Sequence, residues 1–323
     1  MSLLDDIKLP IASELDHLMS IYDKSLVSSN ELLDLALTHI KKGSGKMMRP
    51  ILDLLIAKLY GKIKPSTYHA AVSLELLHTA SLVHDDVVDE SDKRRGQRSV
   101  NSLFDNKIAV LVGDFLLATS LVQVGLTKNT DIILTVASLG QCLSEGEILQ
   151  LDNISNDLFS EEVYYDVIDK KTAALFSSSA RIAALSVGAS EEDVEKATLF
   201  GRYLGICFQI KDDIFDYFSS DVGKPTGNDM LEGKLTLPSL YVLNNKSTDE
   251  LSALGLSIKR GEATASDIAY FVDKVKELGG IEYAELMMQE YKKKALSLIW
   301  DISSDEIKHA LSCYLDYIVD RKL

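Results

Sequence analysis

Residues 65–90 of this 323-residue chain read PSTYHAAVSLELLHTASLVHDDVVDE. Apolar residues recur along the stretch at helical spacing, at Ala70, Leu74, Leu77 and Leu82. Pro65 suits the first turn of a helix, and no further proline follows until Pro225. The whole chain holds only five prolines, about a third of the number that average usage gives. The sequence therefore predicts long helices, of which residues 65–90 form one.

The same periodicity predicts further helices at residues 47–60, 107–125, 130–152, 160–187, 191–218, 236–245, 249–257, 265–278, 281–298 and 303–321. Apolar spacing is weak at the start of the chain and first becomes clear at residues 32–40. Residues 91–97 and 219–234 carry polar side chains, glycine or proline, which predicts loops. No stretch shows the sustained alternation of a strand. We therefore expect an all-α protein with a single domain spanning residues 1–323.

Composition excludes several classes of protein. The chain is 46% hydrophobic, too apolar for a disordered protein, and its net charge of −15 disfavours nucleic acid and anionic membranes as partners. Three widely spaced cysteines indicate a reducing compartment without structural zinc, and the first residues do not resemble a signal peptide. The apolar segment 108–126 contains Asp114, which favours a buried helix over a membrane span. We expect a cytoplasmic protein with no stable membrane insertion.

An acidic pattern, DDxxD, occurs twice, as DDVVD at residues 85–89 and as DDIFD at residues 212–216. Each copy lies near the end of a predicted long helix, where the first and fifth residues share a face and repel each other. Divalent cations remove that repulsion, and all-oxygen ligands favour Mg²⁺, which completes its shell with water and substrate phosphates. We expect metal ligands at Asp85, Asp89, Asp212 and Asp216.

Cationic and polar residues accompany both DDxxD motifs. Lys46 and Arg49 share a face at a glycine-flanked helix start, which suits a phosphate group. His78 lies almost two turns before the first motif and shares its face. The other candidates near the two motifs are Arg94, Arg95, Gln209, Lys224 and Lys234. Carboxylates and cations gathered in this way indicate a site for metal ions and phosphates.

These residues resemble the trans-isoprenyl diphosphate synthases, also called polyprenyl synthetases. The similarity runs from residue 45 to residue 234 and is carried by GKMMRP, LELLHTASLVHDDVVDESDKRRG, EGEILQL, DKKTAALF, GICFQIKDDIFDY and GKPTGNDMLEGK. The resemblance implies the isoprenoid synthase fold, an all-α helical bundle around a deep central cavity. In that fold the two DDxxD motifs face each other across the mouth of the cavity.

The resemblance also assigns roles to residues. The family's isopentenyl diphosphate site matches Lys46, Arg49, His78 and Arg95. Its allylic diphosphate site matches Arg94, Lys171, Thr172, Gln209, Lys224 and Lys234. The catalytic residues that it implies are Asp85, Asp86, Asp89, Arg94, Lys171, Asp212, Asp213 and Asp216. It further implies about three Mg²⁺ ions per active site with substrate bound, and a homodimer to which the apolar segment 108–126 would contribute.

The activity implied is that of a trans-prenyltransferase. In this family an allylic diphosphate, here farnesyl or geranylgeranyl diphosphate, ionises to a carbocation that the double bond of isopentenyl diphosphate attacks. Loss of a proton then gives an all-trans product five carbons longer.

Product length in the family is limited by bulky aromatic residues four and five positions before the first motif. Those positions hold the small residues Ser81 and Ala80, and Leu76 and Leu77 lie one turn deeper. The resemblance therefore implies a long-chain polyprenyl diphosphate, with a chain of about seven or eight isoprene units.

Several alternatives stay open at this point. A short-chain farnesyl or geranylgeranyl diphosphate synthase would share every motif. A class I terpene cyclase shares the fold but does not need the isopentenyl site, and a non-catalytic subunit of a heteromeric synthase would not need intact aspartates. A ferritin-like di-metal protein would use the ExxH spacing seen at residues 75–78 and 306–309, but leaves both DDxxD motifs unexplained.

Overall fold

The computed structural model of the chain describes residues 3–43, 45–218, 226–299 and 304–321. These residues are almost entirely helical, which confirms the all-α prediction. The first elements in chain order are α1 (Leu3–Lys8), a 3₁₀ turn (Leu9–Ile11), α2 (Ala12–Ser25), α3 (Glu31–Lys42), α4 (Met48–Tyr60), α5 (Pro65–Val88), β1 (Lys93–Arg94), β2 (Gln97–Arg98), α6 (Val100–Phe104) and α7 (Asn106–Leu126). The later elements are α8 (Thr130–Ser155), α9 (Glu161–Ile168), a π-helical turn (Asp169–Ala173), α10 (Ala174–Val187), α11 (Glu191–Phe215), α12 (Asn228–Leu231), α13 (Leu237–Asn245), α14 (Asp249–Lys259), α15 (Ala265–Glu277), α16 (Gly280–Ile299) and α17 (Asp305–Val319).

Contacts between residues divide the chain into two compact units, and the first comprises residues 1–140, 175–201 and 301–313. Its long helix α5 begins at Pro65, whose fixed φ suits the first helical position, and packs against α2, α4, α6 and α7. Leu74 and Leu76 of α5 are fully buried, and each such side chain contributes about 1.5–3 kcal/mol of hydrophobic free energy. This packing fixes the first DDxxD motif at the end of α5.

Helix α7 buries only one of its faces in the first unit. Its buried positions recur every four residues, at Val112, Leu116, Ser120 and Val124. The hydroxyl of Ser120 donates a hydrogen bond of 2.7 Å to the carbonyl oxygen of Ser73 on α5. The opposite face is exposed and apolar, with Val110, Leu111, Leu117, Leu121, Val122 and Leu126. Among the described residues, no other helix of the first unit covers this face of α7. The prediction of a buried helix at residues 108–126 is therefore wrong for this face.

Two helices, α7 and α8, are long and apolar enough to cross a membrane by length and composition alone. In their most apolar windows, 33% of the α7 residues and 22% of the α8 residues are buried within the chain. Core helices of soluble proteins pass the same test, so the finding is weak evidence for membrane insertion.

The second unit comprises residues 141–174, 202–300 and 314–323. Within it, α13 packs against α9 and α16, and α15 packs against α14 and α16. Tyr241 of α13 stacks on Tyr283 of α16 with ring centroids 4.3 Å apart, and Tyr217 and Phe271 are fully buried. This scaffold holds α9, the π-helical turn and the end of α11, which carries the second DDxxD motif. The single domain expected from the sequence stays a prediction.

The sequence pattern did not predict the N-terminal helices α1 and α2. In α2, only Leu18 and Tyr22 are buried, and these two positions form a narrow apolar stripe one turn apart. Such a stripe gives a weak periodic signal, although it suffices to pack α2 against α4 and α5.

Both predicted loops contain regular structure. Within residues 91–97, β1 and the start of β2 form an antiparallel hairpin, in which Lys93 pairs with Arg98. Its two turn residues, Arg95 and Gly96, both have positive φ, at 51° and 76°, as a type I′ turn requires. In the other loop, α12 is helical, and residues 219–225 lie outside the described residues.

Candidate active site

The first DDxxD motif has one buried and two more accessible carboxylates. Asp85 and Asp86 lie on the last turn of α5, and Asp89 caps its end in an exposed position. Asp86 is only 3% exposed, and Arg94 of the hairpin donates hydrogen bonds to its Oδ1 from Nε at 2.8 Å and from Nη2 at 2.5 Å. Burial raises the pKa of Asp86, while the hydrogen bond and charge of Arg94 oppose that rise. The second carboxylate of the motif is therefore held by the protein, and the other two are more exposed.

The second motif repeats this arrangement with different partners. Asp213, near the end of α11, is 3% exposed. Its Oδ2 accepts a 2.5 Å hydrogen bond from the hydroxyl of Tyr164, and its Oδ1 accepts one of 2.8 Å from Nε2 of Gln209. Burial and the neighbouring Asp229 raise the pKa of Asp213, and the two hydrogen bonds lower it. The same position in both motifs is therefore a buried, hydrogen-bonded aspartate.

The outer aspartates of the second motif also have partners in this structure. Asp216 accepts backbone hydrogen bonds from Asn228 at 2.9 Å and Asp229 at 3.1 Å, so its carboxylate caps the start of α12. Asp212 forms an ion pair with Arg321, whose guanidinium stacks on the rings of Phe208 and Phe215. Burial, reinforced by Asp216, raises the pKa of Asp229 to about 7.

The residues predicted to bind isopentenyl diphosphate lie in the first unit, and the structure brings most of them together. Burial lowers the pKa of His78 well below its usual value, and the charges of Arg49 and Arg95 lower it further. His78 is therefore neutral at pH 7, and its buried Nδ1 has no hydrogen-bond partner among the described residues. Arg95 donates a 3.2 Å hydrogen bond to the carbonyl oxygen of Gly43.

Lys46 is exposed and lies two residues before α4, because Met47, with a positive φ of 54°, precedes the first helical residue. The prediction that Lys46 and Arg49 share a face of this helix is therefore wrong.

A cavity of about 230 Å³ lies within the second unit. Four residues predicted to bind the allylic diphosphate line it, namely Lys171, Thr172, Gln209 and Lys234. Tyr164, Asp213 and Asp229 line the same cavity. Two further residues were predicted to bind the allylic diphosphate. Arg94 lies in the first unit, where it donates a hydrogen bond to Asp86, and Lys224 lies outside the described residues.

A chain of hydrogen bonds orders the wall of this cavity. The hydroxyl of Thr172 donates to Oε1 of Gln209 at 2.6 Å, and the amide of Gln209 continues to Asp213. Tyr164 completes the chain from the other side of Asp213. Lys171 forms an ion pair with Glu147 and donates a 3.1 Å hydrogen bond to Gln150. The side-chain amide nitrogen of Gln150 is buried and has no partner among the described residues, so it remains available to a ligand.

The π-helical turn Asp169–Ala173 explains how Tyr164 and Thr172 reach neighbouring groups on α11. Eight residues separate them, which in a regular α-helix leaves their directions about 80° apart. A π turn absorbs one extra residue, so the remaining seven span two turns and return Thr172 to the face of Tyr164. The predicted single helix at 160–187 is therefore interrupted at the site.

Gly146 of α8 allows the π-helical turn to pack closely. A Cβ atom at this position would lie 2.8 Å from Cβ of Lys170 and 2.9 Å from Cγ of Lys171, closer than real side chains approach. The EGEILQL stretch thus supplies a glycine for close packing as well as Glu147 and Gln150 as partners of Lys171.

The four chain-length positions lie on α5 in the first unit. Ala80 is 2% exposed, Leu76 and Leu77 are buried, and Ser81 is partly exposed. A Cβ atom at Gly140 of α8 would lie 3.9 Å from Cδ1 of Leu77, so these helices approach each other at the level of Leu77.

The described residues include no group of three or more His, Cys, Asp or Glu side chains arranged to hold a metal ion.

Sequence reasoning missed Tyr164, Gln150 and Asp229 as site residues. Regular helical spacing would not have found Tyr164, because the π-helical turn brings it into phase with Thr172, eight residues later. Asp229 lies in the GNDMLEGK stretch, from which only Lys234 was chosen. Nothing in the sequence pattern distinguishes Gln150 from an exposed helix residue.

The polyprenyl synthetase family model matches residues 30–275 of the chain. The chain belongs to this family and is a prenyltransferase, as its motifs predicted.

Similar proteins differ in the product that their names state. The chain is 35% identical over 288 residues to the octaprenyl diphosphate synthase of Haemophilus influenzae, covering 88% of this chain and 86% of that protein. It is 34% identical to the heptaprenyl diphosphate synthase component 2 of Geobacillus stearothermophilus, covering 88% and 89%. A crystal structure of the geranylgeranyl pyrophosphate synthase of Bacteroides thetaiotaomicron is 53% identical, with a TM-score of 0.89, covering 99% and 100%.

Tyr164→Phe removes the hydroxyl that donates to Asp213 and leaves a buried carboxylate oxygen without that partner. We expect the free energy of unfolding in urea to fall by about 1–3 kcal/mol and prenyl-transfer activity to fall about tenfold. Tyr165→Phe is the matched control, because the neighbouring ring packs near Tyr291 instead of Asp213. Equal effects of the two substitutions would contradict this role of Tyr164.

Proposed function

We propose that the chain catalyses chain elongation, joining isopentenyl diphosphate to farnesyl or geranylgeranyl diphosphate to form an all-trans polyprenyl diphosphate. The observation that carries the proposal is the cluster of Arg49, Arg95 and neutral His78 in the first unit. A terpene cyclase has no second diphosphate to bind and does not need this cluster. Elongation requires a separate site for the diphosphate of the isopentenyl substrate.

The residues of the first unit would bind the isopentenyl diphosphate through charge and hydrogen bonds. Arg49 and Arg95 supply guanidiniums that suit phosphate oxygens, and the exposed Lys46 adds a third cation. His78 is neutral, so it can offer a ring nitrogen for hydrogen bonding without adding charge.

The residues of the second unit would bind the allylic diphosphate. Lys171 and Lys234 bring positive charge to the 230 Å³ cavity, and Thr172 and Gln209 bring polar groups fixed by hydrogen bonds. Stabilising charge that develops on a leaving diphosphate is a common role of such fixed groups. We propose that Arg94 and Lys224 also serve the allylic diphosphate.

The acidic residues fit Mg²⁺ as the metal. Asp85, Asp89, Asp212 and Asp216 offer only oxygen ligands, and the described part of the chain contains no cluster of sulfur or nitrogen ligands. Mg²⁺ is bound through one or two carboxylates plus substrate phosphates, so a preformed group of three ligands is not required. When bound, it would supply Lewis-acid neutralisation of a diphosphate. Asp86 and Asp213 would support the outer carboxylates from their buried positions.

We propose a long product, of about seven or eight isoprene units. The small residues Ala80 and Ser81 leave no aromatic barrier before the first motif, and relatives named octaprenyl and heptaprenyl synthases support this length. A short product of the geranylgeranyl class is the second candidate, because the 53% identical structure carries that name.

Product analysis of the purified chain tests both points. With radiolabelled isopentenyl diphosphate, Mg²⁺ and either farnesyl or geranylgeranyl diphosphate, we expect all-trans products of about 35–40 carbons, or five carbons per isoprene unit. Accumulation of geranylgeranyl diphosphate from farnesyl diphosphate would support the short-chain candidate. Hydrocarbon formed from farnesyl diphosphate alone would indicate a cyclase, and inactivity of the single chain would indicate a heteromeric subunit.

The substitution Ala80→Phe, measured in the same product assay, tests whether Ala80 limits product length. A phenylalanine at this buried position extends towards the path proposed for the growing chain, so we expect the product ladder to stop several isoprene units earlier. The melting temperature and the rate of the first condensation show whether the variant is folded and active. An unchanged ladder from active enzyme would contradict the role of Ala80.

We further propose a homodimer formed through the exposed face of α7. The face presents six large apolar residues, with Asp114 as a charged neighbour. An apolar face of this kind, repeated on two identical chains, suits a two-fold interface. A cytoplasmic location stays a prediction from the sequence.

Leu121→Asp should separate such a dimer, because it would bury a charge at the centre of the apolar face. In size-exclusion chromatography with light scattering, we expect wild type at about twice the chain mass of 35.6 kDa and the variant at the chain mass. Leu35→Asp, at an exposed leucine of α3, is the control and should leave the dimer intact. A wild-type monomer at working concentration would overturn the proposal.

A further inference from the structure

A buried carboxylate lies one helical turn behind Arg49 and has no part in the site as described so far. Asp53 is 1% exposed and interrupts the apolar run ILDLLIA of α4. Burying a carboxylate among apolar side chains is costly unless it is paired and hydrogen-bonded. Its position, four residues after Arg49, places it on the same face of α4.

Helix α10 covers both residues from one side. The hydroxyl of Ser179 donates a 2.6 Å hydrogen bond to Oδ1 of Asp53 and lies 3.3 Å from the carbonyl oxygen of Arg49. One turn earlier on α10, the ring of Phe176 faces the guanidinium of Arg49, with Cζ 4.9 Å from the ring centroid. The α10 helix is itself held close to α11, because a Cβ atom at Gly201 would lie 2.3 Å from the carbonyl oxygen of Phe176.

A second buried carboxylate approaches from α5. Glu75 is 6% exposed, and the charges of Arg49 and Arg95 lower its pKa against the larger effect of burial. Burial raises the pKa of Asp53 well above its usual value, and the hydrogen bond from Ser179 opposes that rise. The charge of Glu75 raises this pKa further, and the charge of Arg49 lowers it. Oδ2 of Asp53 and Oε2 of Glu75 are buried and accept no hydrogen bond from the described residues. Both carboxylates therefore keep a buried acceptor oxygen, and the charge of Arg49 acts on both of them.

We propose that Asp53 is a positioning residue that, with Glu75 and Phe176, holds the guanidinium of Arg49 in the orientation that binds the diphosphate of isopentenyl diphosphate. The proposal rests on the function proposed above. An arginine side chain has many rotamers in water, and fixing them before the ligand arrives lowers the entropy cost of binding. Asp53 itself does not contact the substrate.

Asp53→Leu tests the proposal, because leucine has a similar shape without charge or acceptor. We expect KM for isopentenyl diphosphate to rise at least about tenfold, while kcat and KM for the allylic substrate change less than about threefold. We expect the melting temperature to fall, because removing one member of a buried group of charges leaves the hydroxyl of Ser179 without this acceptor. The deciding readout is therefore which substrate is affected, since a residue that only supported the fold would impair both substrates together.

A double-mutant cycle with Arg49→Gln separates positioning from indirect damage. If Asp53 acts through Arg49, Asp53→Leu should add less than about twofold to the KM of the Arg49→Gln enzyme. Asp53→Asn keeps an acceptor for Ser179, so we expect it to raise the KM for isopentenyl diphosphate less than Asp53→Leu does. It is also the variant to measure if Asp53→Leu does not fold. Ser120→Ala removes an equally buried hydroxyl elsewhere in the unit and is the control.

An unchanged KM for isopentenyl diphosphate, additive effects in the cycle, or equal losses for both substrates would overturn the proposal. Titration calorimetry with isopentenyl diphosphate alone allows the same variants to be compared by their dissociation constants instead of by KM. Failure of the proposed function is distinguishable, because wild-type enzyme would then neither bind isopentenyl diphosphate nor consume it.

Discussion

Arg94 and Tyr164 donate hydrogen bonds to aspartates that the fold buries near the ends of two long helices. A buried carboxylate left without donors would destabilise each helix end, so neighbouring elements have to bring donors to it. The hairpin after α5 brings Arg94, and α9 brings Tyr164. With the second aspartate of each motif fixed in this way, the other two are less buried, and in the second motif they are held by Arg321 and by the start of α12.

The elements that the sequence predicted best were those with strong periodicity. Helices α5, α7 and α8 begin and end within about three residues of their predicted bounds, because many apolar residues repeat along each of them. The hairpin at Arg95 and Gly96 was missed because it is held by two positive φ angles, and an arginine at the first of them carries no turn signal. Helix α2 was missed because only a narrow stripe of it is buried.

The site was predictable to the extent that its chemistry depends on charge. The aspartates, Lys46 and Arg49 stood out because like charges side by side, or cations near them, require an explanation. Lys171 and Thr172 were implied only by the resemblance to the family. The partners that orient the charged residues did not stand out, since Tyr164, Gln150 and Ser179 are ordinary helix residues in sequence. Net charge was misleading about phosphate ligands, because an overall −15 conceals a local group of arginines around His78.

The π-helical turn has a consequence for how this chain tolerates changes in length. Its extra residue shifts the register of everything after it in the helix by one position, equivalent to about 100° of rotation. Deleting a residue there would restore regular helix geometry locally but keep Thr172 and Tyr164 in phase, since seven residues already span two turns. Inserting a residue anywhere else between them would instead separate the two hydroxyls. The segment therefore tolerates the loss of one residue but not the gain of one.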